Sequence, residues 1–424
     1  MSRKKIAIIG SGISGLSAAY YLRNNYEVTL YEKNNYFGGH SNTVNIEYNN
    51  KQIAVDTGFI VFNDRTYPNL LNFFKDLDVN YHKSNMSFAV KVDDTKLEYA
   101  GTNIFSIFAQ YKNIFNLNFI KMLRDILRFN KEAISMVEKN SHNKEYSLSS
   151  LIKDLKLGNY FTYNYLLPMS GAIWSCPIDK MLKYPASSFV NFFDNHGLLT
   201  LNNQPQWYSV INGSRQYVSK VIDKIGVKNT HLNTKISDVR ITTAKKIAIR
   251  CNDQIEQFDK IILACHADQA LEMISQPNAR QIEILSSFKY QDNIAILHKD
   301  SSLMPIAKRA WASWVYNCNQ KTSKNISVTY WMNNLQNIDK NYPLFVSLNP
   351  TQEINEKNIF GAFKYEHPIF DQKAINAQNE ITNIQGLDNI YYCGAYCGNG
   401  FHEDGIKSAL QIVDKIKNDD LKNN

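Results

Sequence analysis

The segment Gly10-Ser11-Gly12-Ile13-Ser14-Gly15 decides the fold. It follows Lys5–Ile9, an apolar run typical of a buried strand, and opens a helix predicted over residues 14–23. This is the G-x-G-x-x-G fingerprint: its glycines permit a tight turn, close approach of a pyrophosphate and close packing of helix on strand. Free N–H groups and a partial positive charge at the helix start suit phosphate oxygens. The segment predicts a dinucleotide site.

Glu32 supports this prediction, because it ends the next predicted strand, residues 28–32, seventeen residues after Gly15. An acid at this place binds a ribose diol. Further strand and helix patterns alternate over residues 213–271 and 389–416, which indicates a largely parallel sheet. The alternative is that residues 10–15 form a glycine-rich turn that binds no ligand.

The stretches between these pieces have a different composition. Residues 103–200 show helical periodicity with many aromatics, and residues 287–375 contain aromatic, strand-like runs. We therefore predict an α/β fold with a Rossmann-type domain and an inserted α+β substrate domain. The dinucleotide domain would comprise residues 1–75, 205–286 and 376–424, and the substrate domain residues 76–204 and 287–375.

Composition excludes several classes of protein. The chain has 424 residues, of which 44% are hydrophobic and 20% charged, so it is neither disordered nor collagen-like. Apolar runs fall short of the roughly 20 residues that span a bilayer, and the N-terminus lacks a signal peptide pattern, so we expect a soluble, cytoplasmic protein. The net charge is +8, but no nucleic-acid-binding module and no metal-ligand spacing is visible. Oligomeric state stays open.

A second glycine pair separates FAD from NAD as the cofactor. Gly38-Gly39-His40 follows the second strand and leads to Thr43, and this E-x5-G-G-x-x-x-T pattern resembles that of FAD-binding flavoproteins of the amine oxidase and phytoene desaturase superfamily. Segments 55–63, 66–70, 172–175, 195–199, 311–314 and 400–405 resemble more closely a bacterial family of FAD-dependent oxidoreductases. Relatives of that family form the N-terminal part of plant cyclopropane fatty-acid synthases.

The resemblance implies an FAD site with the amine oxidase-type fold. Its cofactor-binding residues would be Gly10, Gly12, Ile13, Ser14, Gly15, Glu32, Lys33, Gly38, Gly39, His40, Thr43, Gly58, Phe59, Ile236, Gly394, Phe401, Asp404, Gly405 and Ile406. Two departures weaken the amine oxidase label. His40 stands where the superfamily often has arginine, and Tyr396 stands where many amine oxidases have glutamate.

Candidate acids and bases cluster near the last helix. A helix starting near Gly405 would stabilise negative charge on a reduced flavin, which would place His402 and Glu403 beside the ring. Alternatively these residues form a polar loop, with Asp404 as a simple N-cap. His196, in a turn context, is a further candidate acid or base, although such a histidine is more often only hydrogen-bonded.

Aromatic and apolar side chains are candidates for a substrate cavity. They are Ile60, Asn63, Tyr67, Trp311, Trp314 and Tyr330. Trp311 and Trp314 are three residues apart, so on one strand they face opposite sides and at most one lines a cavity. Core packing is the alternative for each residue. An aromatic wall beside a flavin suits a long apolar substrate or a cation.

The segment 119–131 is a basic amphipathic helix by its spacing. Phe119, Ile120, Leu123, Ile126 and Leu127 share one face, and four basic residues flank it. Such a helix can lie on an anionic membrane, which would make the protein peripheral there. The alternative is a domain helix with a buried apolar face and a solvated basic side.

Together these features predict an FAD-dependent oxidoreductase. Hydride transfer between flavin N5 and an apolar substrate, fatty-acyl or isoprenoid, is the leading interpretation. The alternatives are a flavin amine oxidase and a flavin-dependent lipid double-bond isomerase. A non-enzyme alternative is a structural flavoprotein that serves as partner of a lipid-modifying enzyme.

Overall fold

The structure is a computed structural model that describes residues 3–143, 145–174, 181–200, 204–318 and 327–422. Ser175, the last residue of one family-like motif, lies outside these ranges.

A five-stranded parallel sheet forms the centre of the predicted dinucleotide domain. In spatial order its strands are Thr230–His231, Glu27–Tyr31, Lys5–Ile9, Lys260–Leu263 and Ile390–Tyr392. Side chains alternate along a strand, so Ile6 and Ile8 enter one hydrophobic cluster while Ala7 and Ile9 enter another on the opposite face. Burial on both faces explains why this strand reads as a continuous apolar run.

Helices cover one face of the parallel sheet and a mixed layer covers the other. The first layer consists of Ile13–Leu22, Pro68–Asp76, Arg215–Ile225 and His402–Lys422. The second layer contains the antiparallel strands Ile236–Ile241, Ile247–Cys251 and Gln254–Phe258 with the helices Ala267–Met273, Ala279–Leu285 and Gln372–Glu380.

A seven-stranded mixed sheet organises the rest of the chain. Its order is Ile359–Ile369, Lys289–His298, Phe345–Leu348, Ser327–Trp331, Trp314–Cys318, Phe88–Val92 and Leu97–Ala100. One face packs against helices through buried residues such as Phe119, Phe129 and Phe189. The helices of this region are Ile104–Ile107, Leu117–Lys139, Leu148–Asp154, Asn159–Phe161, Leu167–Trp174 and Ala186–Asn195, with a π-helical turn at Thr162–Leu166.

Smaller elements complete the fold. Thr43–Tyr48 pairs with Lys51–Asp56, and Trp207–Val210 lies between Phe62–Asn63 and Tyr81–Ser84. The helix Met332–Leu335 follows the strand that ends at Trp331, and short 3-10 turns cover Tyr111–Phe115, Val227–Asn229, Ser301–Leu303, Lys308–Ala310, Glu356–Asn358, Ile381–Ile384, Leu387–Asn389 and Ala395–Cys397. The predicted α/β class and Rossmann-type sheet agree with this architecture, whereas the domain boundaries stay a prediction.

Several local predictions need correction. The last helix begins at His402, three residues before Gly405, and continues to Lys422. Trp311 is not on the strand of Trp314, because a 3-10 turn precedes it and the strand starts at Trp314.

The amphipathic helix, Leu117–Lys139, is longer than predicted and buries a different stripe. Phe119, Met122, Phe129 and Ala133 are buried, but Leu127 is 55% exposed. The stripe of Phe119, Met122, Phe129 and Ala133 therefore packs inside the domain. Among the described residues, no helix is long and apolar enough to cross a membrane.

Candidate cofactor and substrate site

The fingerprint glycines occupy three different environments. Gly10 has φ +102°, and a Cβ there would lie 2.7 Å from Ala264 O, while a Cβ on Gly15 would collide with Gly10 O. Around Gly12, by contrast, a Cβ would meet no described atom within 4 Å. Gly12 is also the N-cap of the helix Ile13–Leu22, and no side chain caps that end. Open space at an uncapped helix start fits a diphosphate.

Glu32 is buried at the edge of this space. Its Oε2 accepts hydrogen bonds from Ser11 N at 3.0 Å and Ser11 Oγ at 2.6 Å, and its Oε1 accepts one from Asn34 N at 2.9 Å. The carboxylate is therefore fixed beside the glycine turn, where the sequence predicted contact with a ribose.

The second glycine pair folds back onto the first. A Cβ on Gly39 would lie 3.2 Å from Gly12 Cα, so the backbone of the pair closes one side of the space at Gly12. The His40 ring lies 4.9 Å from that of Tyr365, and its buried Nε2 has no hydrogen-bond partner within the described part of the chain. Burial holds the pKa of His40 well below its usual range, so the ring is neutral. An unpaired buried nitrogen is expected where a bound group supplies the partner.

The C-terminal helix closes the other side. Ser14 Oγ donates to Gly405 O at 2.9 Å, and a Cβ on Gly405 would lie 2.7 Å from Ile13 Cγ2. Phe401 N donates to Asp404 Oδ2 at 3.0 Å, which makes Asp404 a capping residue of this helix. Burial raises the pKa of Asp404 to about 6. Two helix starts, at Ile13 and His402, thus meet at one place.

His402 lies in the first turn of that helix and is held on both sides. Its ring stacks on Phe59 with 3.6 Å between centroids, and its Nε2 lies 2.9 Å from Ser41 Oγ and 3.4 Å from Tyr217 OH. Burial lowers the pKa of His402 to about 3. The neutral ring therefore anchors the loop at Gly58 to the helix start. Because the imidazole is not protonated near neutral pH, it has no imidazolium proton to donate as an acid.

Glu403 caps a different helix. Its Oε1 accepts from Asn69 N at 3.1 Å and Asn69 Nδ2 at 2.7 Å, and its Oε2 accepts from Leu70 N at 3.0 Å. These bonds satisfy the free N–H groups at the start of Pro68–Asp76 and place a negative charge at its positive end. Both oxygens are engaged, so Glu403 has a structural role at this helix start, and its acid-base role stays a prediction.

His196 ends the helix Ala186–Asn195 and faces an aromatic group. Its ring stacks on Phe192 at 3.8 Å and lies 5.7 Å from Phe401 and 6.5 Å from Trp207. Nδ1 lies 2.9 Å from Phe192 O, while Nε2 has no hydrogen-bond partner among the residues that the structure describes. Burial lowers the pKa of His196 to about 4. A neutral histidine with a free ring nitrogen can accept a proton.

The predicted cavity residues lie where three hydrophobic clusters meet. Tyr67 belongs to the cluster of the parallel sheet, Ile60 to the cluster on the seven-stranded sheet, and Phe401 borders the helical cluster. Asn63 is buried and its Oδ1 accepts from Thr66 N at 2.8 Å, which shapes the turn before Tyr67. The structure thus brings the segments 55–63, 66–70 and 400–405 together.

The seven-stranded sheet contributes one of its faces. Trp314 and Tyr330 are cross-strand neighbours with ring centroids 5.0 Å apart, and both border two of these clusters. Trp311 lies on the opposite face, where its Nε1 donates to Pro305 O at 2.8 Å and its ring packs 5.2 Å from Trp331. Trp311 therefore does not share a wall with Trp314, as the spacing argument allowed.

The remaining predicted cofactor residues contact other parts of the chain. Thr43 Oγ1 donates to Asp56 Oδ1 at 2.6 Å, and the Lys33 ammonium lies at the surface, 3.3 Å from Gln269 Oε1. Ile236 starts a strand of the second layer and is buried, and Gly394 N donates to Ser408 Oγ at 3.0 Å. Glycines 38 and 58 and Ile406 lie in the same glycine loops and helix described above.

Sequence reasoning missed Trp207, Ser41 and Tyr217. Trp207 lies 6.3 Å from Tyr67, and Ser41 and Tyr217 hold His402. Ser41 directly follows the glycine pair, a position that could have signalled it. Trp207 begins a four-residue strand and carries no local signal.

The comparisons with known proteins concern first the N-terminal part. Residues 8–77 match the family described as NAD(P)-binding Rossmann-like domain. The chain carries a dinucleotide-binding domain of this type.

Two curated relatives are carotenoid enzymes by name. The chain is 22% identical to 4,4'-diaponeurosporene oxygenase of Staphylococcus aureus strain MRSA252 over 70% of this chain and 58% of that protein. It is 32% identical to carotenoid phi-ring synthase of Chlorobaculum tepidum over 28% of this chain and 20% of that protein. The chain thus spans little more than half of the first relative's length.

Solved structures resemble the chain over its whole length. A CLA-producing fatty acid isomerase from P. acnes superposes with a TM-score of 0.67 at 11% identity, covering 97% of this chain and 98% of that one. Cyclohexylamine oxidase from Brevibacterium oxydans IH-35A gives a TM-score of 0.67 at 12% identity, covering 98% and 100%. The predicted amine oxidase-like fold is confirmed.

The Rossmann-like domain and the overall fold agree with the resemblance to FAD oxidoreductases of the amine oxidase and phytoene desaturase type. The residues present fit the cofactor of that type: Gly12 leaves open space for a diphosphate, two helix starts converge there, and His40 Nε2 lacks a partner. The link to plant cyclopropane synthases stays a prediction.

Proposed function

We propose that the protein moves a hydride between FAD and an apolar lipid, of the fatty-acyl or isoprenoid class. The observation that carries the substrate class is the state of the two acids at the site. Glu403 uses both oxygens to cap Pro68–Asp76, and Asp404 caps its own helix with a raised pKa. Neither carboxylate is free to bind an ammonium group, and the remaining wall is aromatic.

The chain's own residues would hold the cofactor at both ends. The turn at Gly12 and the helix start at Ile13 would bind the diphosphate, and Glu32 the ribose. The start of His402–Lys422 would stabilise negative charge at the pyrimidine edge. FAD, when bound, supplies the hydride acceptor or donor at N5. Phe59, stacked on His402, would exclude water from that face.

The names of related proteins support an apolar substrate. Both curated relatives are carotenoid enzymes, and one solved neighbour is a fatty acid isomerase. The aromatic group of Trp314, Tyr330, Phe401 and Phe192 offers a large apolar surface, which favours a long hydrocarbon over a polar molecule. We also propose that the chain divides into the two predicted domains and that the site lies at the boundary between them.

The test is the flavin itself. The purified protein should be yellow, and anaerobic mixing with an unsaturated fatty acid or an isoprenoid hydrocarbon should bleach the flavin absorbance in at least one of these lipids. Colourless protein would contradict the cofactor proposal. Bleaching by polyamines alone, with peroxide in air, would favour the amine oxidase alternative. Lipid conversion without net bleaching would favour the double-bond isomerase, and a flavin inert to all substrates the structural flavoprotein.

His196→Gln tests the acid-base proposal for His196. Glutamine can keep the hydrogen bond to Phe192 O but cannot accept a proton at neutral pH, so the rate of flavin bleaching by the active lipid should fall by roughly 10²–10⁴-fold. FAD content should stay unchanged, because His196 contacts Phe192 and Phe401 rather than the fingerprint. His142→Gln, at an exposed position, is the control. A variant within twofold of wild type would exclude the role.

A further inference from the structure

Large apolar side chains are exposed on one short segment that the flavin proposal does not use. Within residues 104–117 six such side chains lie at the surface, and a seventh, Ile306, comes from elsewhere in the chain. Phe115 is 86% exposed, Ile306 85%, Leu117 75% and Phe105 72%. We name this group the apolar patch: Ile104, Phe105, Tyr111, Ile114, Phe115, Leu117 and Ile306. Contiguous exposed apolar surface marks an interaction site.

The two parts of the apolar patch are joined by Glu98. Its Oε1 accepts from Ile306 N at 2.9 Å and its Oε2 from Ala307 N at 2.8 Å, while Glu98 N donates to Gln110 Oε1 at 3.1 Å. In addition, the Arg309 guanidinium lies 5.5 Å from the centre of the Tyr111 ring. The apolar patch is therefore one surface built from two loops.

The backbone beneath the apolar patch is satisfied locally. Asn103 and Ser106 form a capping box at the start of Ile104–Ile107, and Asn116 Oδ1 accepts from Asn118 N and Phe119 N at the start of Leu117–Lys139. Exposed apolar side chains thus stand on turns whose N–H groups are already paired. This is what an apolar environment demands of a backbone that enters it.

The charged residues of the two segments that carry the apolar patch are all basic. Lys112, Lys121, Lys308 and Arg309 are exposed at its border. Residues 101–121 and 301–312 contain no aspartate or glutamate, and Glu98, which joins the two segments, is buried with both oxygens engaged. Apolar and aromatic side chains bordered by basic residues are complementary to an anionic bilayer surface. The apolar side chains suit the acyl chains, and the basic side chains suit the phosphates.

The apolar patch also lies over the helical cluster that reaches the candidate site. Ile107 and Phe108, on the same segment, pack against this cluster, and so do Phe401, Trp314 and Tyr330. One continuous hydrophobic cluster thus connects the surface beneath the apolar patch with the predicted cavity.

We propose that the apolar patch docks on the surface of a membrane that contains anionic lipids. Phe105, Phe115, Leu117 and Ile306 enter the boundary between head groups and acyl chains, and the four cations contact phosphates. This proposal replaces the predicted contact through residues 119–131, a segment whose helix packs inside the domain through Phe119, Met122 and Phe129. It goes beyond the flavin proposal and does not depend on it.

Vesicle binding of the full-length protein tests the proposal. Wild-type protein should co-sediment with vesicles of phosphatidylcholine that contain about 25% of the anionic lipid phosphatidylglycerol. The triple variant Phe105→Ser, Phe115→Ser and Leu117→Ser should lower the partition coefficient at least ~10-fold, since three apolar side chains no longer insert. Lys308→Gln should lower it about fivefold on anionic vesicles.

The matched control is Val227→Ser, Ile255→Ser and Leu421→Ser, three exposed apolar residues outside the apolar patch. It should bind vesicles as wild type does. Wild type that stays in the supernatant, or a patch variant that binds like wild type, would overturn the proposal. So would a wild-type dimer that the patch variant converts to monomer without any vesicle binding. FAD content and thermal midpoint are measured on each variant. They separate failure of the membrane proposal from failure of the flavin proposal.

Discussion

Gly12→Val is expected to abolish retention of FAD while the protein stays folded. Gly12 has φ −65° and ψ 179°, a backbone conformation open to any residue, and its Cβ would point into space with no described atom within 4 Å. Valine therefore costs the apoprotein little. In the holoprotein the same space would hold the diphosphate, so the affinity for FAD should fall at least ~100-fold, which corresponds to ~2.7 kcal/mol.

Two comparisons make this result specific. Gly101→Val is the matched control, because a Cβ on Gly101 also meets no described atom within 4 Å, far from the fingerprint in sequence. Its FAD content and thermal midpoint should equal those of wild type. Gly15→Val should instead unfold the domain, since a Cβ there collides with Gly10 O. Flavin absorbance per protein and the thermal midpoint are the measurements. A Gly12→Val protein with full flavin content would contradict the placement of the diphosphate.

The parallel sheet and the glycine turn could be predicted because their signals are local. A strand, a turn with Gly10 and a helix follow one another in sequence, and burial on both faces is readable from the apolar run Lys5–Ile9. The roles of the candidate acids could not be read in this way. Glu403 meets Asn69 across 334 residues and His402 meets Ser41 across 361, and nothing in the local sequence indicates either contact.

The amphipathic helix shows a second limit. The periodicity of residues 119–131 predicts an apolar face that includes Leu127, but Met122 and Phe129 occupy the buried stripe and leave Leu127 exposed. Two adjoining faces of this helix are both apolar enough to be buried. Which of them packs inside is decided by Phe161 and Phe189, which contact Phe129 from other helices. Trp311 shows another limit of spacing arguments. It does not lie on the strand of Trp314, because that strand starts three residues after Trp311.

Asp56→Ala is expected to lower the free energy of unfolding by ~3–5 kcal/mol. The buried carboxyl accepts hydrogen bonds from Thr43 Oγ1 at 2.6 Å, Ser214 N at 2.9 Å, Ser214 Oγ at 2.8 Å and Gln336 Nε2 at 2.9 Å. Alanine leaves these donors buried without an acceptor. Urea denaturation measures the loss, and Asp253→Ala, at an exposed position, should change the free energy by less than ~0.5 kcal/mol.

Acid pH adds a test with a defined sign. Burial raises the pKa of Asp56 to about 6, against the hydrogen bonds from Thr43 and Ser214, which lower it. Because the folded state holds the proton more tightly than the unfolded state, the Asp56 contribution to stability falls as pH rises from about 4 to about 6. Asp56→Asn removes this titration, so its stability relative to wild type should improve between pH 4 and pH 7.

The two Asp56 variants separate charge from connectivity. Asp56 precedes Thr57 and Gly58, so its hydrogen bonds tie the loop that carries Phe59 to Ser214 at the start of one helix and to Gln336 beside the seven-stranded sheet. Alanine should therefore also lower FAD content, whereas asparagine, which keeps one acceptor oxygen, should retain more of it. Equal stability of Asp56→Ala and Asp253→Ala would show that this network does not hold the site together.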